Sequence, residues 1–146
     1  RVRSPSRGLV DVYKRQGNMG ESLEFFRDIL GFEVVREMHE SGEHVDNFTG
    51  LRKVKVHTVK LQDHDGQLVE LLYYDSHPRF IHKRDLADIG CSHFAVTVDN
   101  LDETLANLGK NGYKPHCEPQ FSPDGKVKLT FLQGPDNILI ELVQEL

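Results

Sequence analysis

KVKVHTVKLQDHDGQLVELL, residues 53–72, comes back without a gap as DGKVKLTFLQGPDNILIELV, residues 124–143. Each copy reads as an apolar strand, a turn and a second apolar strand. The turns, Asp63-His64-Asp65-Gly66 and Gly134-Pro135-Asp136-Asn137, are built from residues that favour tight reversals. A recurring supersecondary unit decides the fold before local propensity does. Upstream of each copy stands another matched stretch, Asn18-Met19-Gly20-Glu21-Ser22-Leu23 against Asn100-Leu101-Asp102-Glu103-Thr104-Leu105. Each begins an amphipathic helix, with Leu23, Phe26, Ile29 and Leu30 as the apolar face of the first and Leu101, Leu105 and Leu108 as that of the second. Gly31 ends the first helix and Gly109 or Gly112 the second, and GFEVV and GYKPH follow as the next strands. The pattern is strand–helix–strand–strand–strand, twice: an α+β protein of two βαβββ modules. The stretch REMHESGEHVDNFTGLR in the first module has no counterpart in the second, and is expected to form a lid or wall over whatever the sheet encloses.

The repeat places the first module at residues 17–76, a linker at 77–90 and the second module at 91–146. The second module opens on an alternating strand, with Phe94, Val96 and Val98 on one face and His93, Ala95 and Thr97 on the other. In the first module the corresponding residues are DVYKRQ, which put Lys14 and Gln16 where Val96 and Val98 pack. Local and global preferences conflict there, and residues 1–16 are read as a non-native segment standing in place of a natural first strand. A short basic arm is the alternative reading. Net charge is −5 over 146 residues, but residues 1–16 carry Arg1, Arg3, Arg7, Lys14 and Arg15 against Asp11, a net of +4, which leaves −9 on the rest. An acidic body argues against sequence-independent nucleic-acid binding. No stretch is apolar enough for a membrane helix or a secretory signal. Two cysteines, Cys91 and Cys117, make no disulfide framework and point to a reducing compartment, the cytoplasm.

Glu70 and Glu141 hold equivalent places in strands otherwise made of apolar residues. A carboxylate buried in such a strand costs several kcal/mol unless a cation or donors compensate it. One such residue could be a strand-edge glutamate facing solvent, but two at matched positions, with His93 on the first strand, point to a metal site. Thr97 shares the face of His93 and, with His57, is a candidate substrate contact. His57 alternates with Lys55, Val59 and Leu61, so an ordinary histidine is its plainer reading. His64 falls in a turn, and His77 and His82 fall in the linker, where surface roles are expected. Glu43, His44 and Asp46 sit in the inserted stretch. Cys91 and His93 form a lone Cys-x-His pair, a pattern that rarely marks zinc. No phosphate-binding glycine loop and no serine-centred nucleophile motif is present.

ESLEFFRDILGFEVV, DGQLVELLYY, SHFAVTVDNLDETLANLGKNGY and GPDNILIEL resemble the vicinal oxygen chelate superfamily, which includes glyoxalase I, methylmalonyl-CoA epimerase, extradiol dioxygenases and drug-resistance proteins. The resemblance covers residues 18–146. It implies the glyoxalase/bleomycin resistance/dioxygenase fold, with the sheets curled around a shared cleft. It also implies metal ligands from the first and last strands of each module: Glu70, His93 and Glu141, with a fourth at the position of Asp11. Imidazole and carboxylate ligands suit Zn, Ni, Co, Mn or Fe(II). The activity implied is that of a divalent-metal lyase or isomerase on a small oxygenated substrate, by proton abstraction beside a carbonyl with a metal-stabilised enediolate or enolate. Glu141 would be both ligand and catalytic base, leaving the metal as substrate binds. Two other readings are a metal-free small-molecule-binding protein of the drug-resistance type and an Fe(II) extradiol-type dioxygenase, which would need a second histidine at the metal. Nothing in the residues points to glutathione. Pairing as a homodimer is expected from the resemblance and from the exposed sheet edges.

Overall fold

A computed structural model describes residues 17–78, 80–83, 85–90 and 93–146, together with the backbone of residues 12–15. Among the described residues, two four-stranded sheets form the framework. In the first, β1 (Val12–Arg15), β2 (Glu33–Ser41), β3 (Lys55–Gln62) and β4 (Leu68–Tyr74) lie in the order β1-β4-β3-β2. In the second, β5 (His93–Thr97), β6 (Gln120–Phe121), β7 (Val127–Gln133) and β8 (Leu139–Glu145) lie in the order β5-β8-β7-β6. The two orders are the same order. β1 runs parallel to β4 as β5 runs parallel to β8, and the remaining pairs are antiparallel. Register repeats too: Lys60 faces Glu70 across the first hairpin, and Phe131 faces Glu141 across the second. Residues 12–15 therefore sit in the first-strand position, paired with β4 as residues 94–97 pair with β8. Asp11 and Gln16 lie outside the described residues, as do the side chains of residues 12–15.

Helix α1 runs from Met19–Leu23 into a wider π-helical stretch, Glu24–Ile29, and α3 spans Leu101–Lys110. Asn18 and Asn100 cap them alike, each accepting from the amide three residues on, at 3.2 Å and 3.0 Å. Gly31 and Gly112 follow the two helices with φ of 78° and 85°, the left-handed geometry expected from the sequence. Adjacent phenylalanines in α1, Phe25 and Phe26, are both fully buried. They join Val59, Leu61, Val69 and Leu71 of the first sheet to Val96, Leu132, Ile140 and Leu142 of the second in one core. Phe25 meets Tyr113 edge-on at 4.9 Å, and Phe26 stacks on Phe94 at 6.0 Å. The helix-side faces of both sheets thus share a single interior, and their other faces turn away from it. On the far side of the first sheet the inserted stretch forms α2 (Glu43–Thr49), whose fully buried Val45 packs with Val54, Val56, Leu72 and Tyr74. It forms a wall on that face, while residues 36–41, expected in the same cover, instead extend β2.

Candidate active site and metal ligands

Strand alternation decides which residues reach which face. In β4, Val69 and Leu71 enter the core, so Glu70, Leu72 and Tyr74 take the opposite side. In β8, Leu142 and Ile140 enter the core, leaving Glu141 and Val143 opposite. In β5, Phe94 and Val96 pack inward, so His93, Ala95 and Thr97 share the face of Glu141. The matched glutamates therefore occupy matched faces, each directed away from the common core.

His93 and Glu141 come together. Nε2 of His93 lies 3.6 Å from Oε2 of Glu141, with the two side chains 44% and 23% exposed. Phe131 meets the imidazole edge-on at 5.0 Å and limits how the ring can turn. That N···O separation is long for a hydrogen bond. It suits two ligands of one ion, since donors each about 2.1 Å from a metal sit roughly 3.0–3.4 Å apart. The second sheet's half of the donor set fits a divalent cation.

Glu70 has different company. Its side chain is only 8% exposed, and Nζ of Lys60, opposite it on β3, lies 3.5 Å from Oε2. The cation that a buried carboxylate requires is thus supplied in part by the chain itself. Sequence reading missed Lys60, although the hairpin centred on Asp63–Gly66 sets it across from Glu70 once the register is counted. Among the described residues, Glu70, His93 and Glu141 do not form a cluster within reach of one ion. The two sheets share their helix-side faces, so one chain alone does not bring these outer faces together. Asp11, at the remaining ligand position, and Cys91 lie outside the described residues.

The other candidates are scattered. Thr97 borders a shallow polar recess of about 240 Å³ with Asn100 and Asn107. His57 lies on the helix side, the face opposite Glu70: its ring nitrogen is 2.7 Å from Oε1 of Glu37 and its ring stacks on His39. Glu37, His39 and His57 together form a Glu/His/His cluster that could hold a metal ion. The spacing Glu-x-His at residues 37–39 is its sequence signal, which shows as a site only once residues 36–41 are placed in β2 opposite β3. His82 is exposed and His77 half-buried, as expected of the linker, and both border an open, mainly apolar recess of about 450 Å³ with Leu72, Tyr74, Phe80 and Ile81. Leu72 is the next residue after Glu70 on the same face, so this recess adjoins the first sheet's glutamate. Asp46 serves structure: its carboxylate accepts from the amides of Lys53 and Val54 at 2.8 Å each and fastens the end of α2. Those two hydrogen bonds, Val54 first, hold its carboxyl below the ordinary carboxylate range.

Comparison with known proteins agrees with this architecture. A glyoxalase family protein from Bacillus cereus superposes with a TM-score of 0.84 over 99% of both chains at 23% identity, a likeness of fold. A probable lactoylglutathione lyase of Synechocystis is 30% identical over 137 residues, 93% of this chain and 94% of that one. A chloroplastic probable lactoylglutathione lyase of Arabidopsis thaliana is 26% identical over 98% of this chain, which spans only 37% of it. The repeated modules, the paired glutamates and a profile match over residues 10–142 place the chain in one family: it belongs to the Glyoxalase/Bleomycin resistance protein/Dioxygenase superfamily.

Proposed function

We propose that the protein is a divalent-metal-dependent lyase or isomerase of the glyoxalase type, acting on a small oxygenated substrate. The observation that carries this reading is the 3.6 Å approach of His93 to Glu141 on a sheet face whose counterpart bears Glu70. Glu70, His93 and Glu141 would hold the ion, and a second copy of the chain would supply the facing half of the site. A divalent cation held there would supply Lewis-acid stabilisation to negative charge developing on the substrate's oxygens. Glu141 takes the proton from the carbon beside the carbonyl and returns it to the adjacent carbon. Leu72 and Tyr74, on the same face of β4 as Glu70, give the substrate an apolar surface beside it. Lys60, 3.5 Å from Oε2 of Glu70, holds that carboxylate in place until the ion arrives.

The names of the relatives make S-lactoylglutathione the first product to assay. The protein, loaded with Zn, Ni, Co, Mn or Fe(II) in turn, is given the hemithioacetal of glutathione and a 2-oxoaldehyde, and thioester formation is followed by absorbance. Turnover that disappears with a chelator and returns with metal is expected. Glu141→Gln should lower kcat by about 100-fold or more, the usual scale for losing a positioned base. Full activity in that variant would remove Glu141 from the reaction.

A further inference from the structure

Three side chains outside this site meet on the helix side of the first sheet, past Val59 and Leu61. Glu37 and His39 project from β2 and His57 from β3, with His39 and His57 directly opposed across the strands. Their rings lie nearly parallel, 4.2 Å apart and inclined by 10°. Nε2 of His57 is 2.7 Å from Oε1 of Glu37. One donor atom from each of the three lies within 4.8 Å of the others.

We propose that Glu37, His39 and His57 bind a divalent transition-metal ion, at a second site on the opposite face of the sheet from Glu70. Two imidazoles and a carboxylate suit Zn, Ni, Co, Cu or Fe(II), and suit Mg or Ca poorly, because those ions prefer an all-oxygen shell. The antiparallel register fixes the spacing of the histidine pair at the backbone, so little order remains to be imposed on binding. Both rings must rotate to converge on one ion, and β2 leaves room: it is the exposed edge of its sheet. A groove of about 320 Å³, bordered by Ser41, Tyr73 and Asp75, opens beside the two rings. It gives the ion space for water or a small anionic ligand in its remaining positions. This site stands whether or not the proposed reaction does, since it shares no residue with the Glu70, His93 and Glu141 set.

The test is a titration of the full chain with Ni²⁺ by calorimetry, in parallel with His39→Gln/His57→Gln and with His93→Gln/Glu141→Gln. The first double variant is expected to take up one equivalent fewer than the unaltered chain, while the second retains uptake at Glu37, His39 and His57. Excess Mg²⁺ should not displace the ion from this site. In the unaltered protein, Co²⁺ should broaden and shift the ring protons of His39 and His57, a readout that does not depend on any variant folding. Unchanged stoichiometry in His39→Gln/His57→Gln, or Co²⁺ leaving those ring protons untouched, overturns the proposal and leaves a cross-strand ion pair with a stacked ring. Loss of uptake only in His93→Gln/Glu141→Gln would overturn it equally, while supporting the proposed active site.

Discussion

Glu70 and Glu141 hold the same place in the two modules and meet different neighbours. Across the hairpin from Glu141 stands Phe131, and its polar partner is His93 from the adjoining strand. Across from Glu70 stands Lys60, with its ammonium 3.5 Å away. Removing one member of a mostly buried pair strands the other's charge, which costs more than the pair contributes. Lys60→Met is therefore expected to destabilise the metal-free protein by about 1–3 kcal/mol in urea unfolding. Divalent metal should restore part of that loss, because the ion replaces the ammonium beside Glu70. No change on adding metal would argue that Glu70 is a structural carboxylate only. Both glutamates were legible in the sequence through the repeat, and so was His93. Lys60 was not, because its place beside Glu70 depends on the hairpin register, which only the folded pairing of β3 and β4 fixes.

At the scale of elements, α2 is the feature the sequence hinted at without shape. A stretch absent from the second module suggested a cover. Its seven helical residues are too few to be stable alone, and Gly42 before them offers no side-chain cap. Tertiary contacts make the helix: Val45 in the face of Leu72 and Tyr74, and Asp46 on the amides of Lys53 and Val54. Asp46→Ala is expected to speed amide exchange at Lys53 and Val54 while leaving β7 and β8 unchanged. Equal exchange in both proteins would mean that Val45 alone holds the cover. Acid should act in the same direction. A carboxyl held below its ordinary value stabilises the fold above its unfolded titration and loses that contribution as the pH falls through the folded value. The Lys53 and Val54 amide resonances should therefore move toward loop positions only at pH values below the ordinary aspartate range. The strands of the repeat were readable because an ungapped match fixes both their length and their face. GYKPH, readable as a strand, contributes only an isolated bridge from Pro115 to Leu132, and the strand of this module forms later, as the two-residue β6.

The whole molecule is held by a core to which both modules contribute, and Phe25 is its hinge point between them. It leaves α1 of the first module to touch Tyr113 of the second, and it crowds Gly134, where an added Cβ would lie 3.3 Å from its ring. Phe25→Ala should cost about 3–5 kcal/mol, and a single cooperative transition should shift as one. Two separate transitions would show that the modules fold independently. This shared core also explains why the proposed ligands stand out in the sequence one residue at a time and not as a geometry: composition cannot say that the two helix faces meet inside the chain and so direct Glu70 and Glu141 outward. The proposed homodimer answers that arrangement by joining one chain's Glu70 to its partner copy's Glu141. The most direct measurement mixes two inactive chains, Glu70→Gln and Glu141→Gln, allows subunits to exchange, and assays lyase turnover with saturating metal. Each mixed dimer would contain one site with both glutamates intact, so recovery of roughly a quarter of the unaltered activity is expected from statistical pairing. A mixture as inactive as its parents, beside a fully active unaltered protein, would contradict a site shared between two chains.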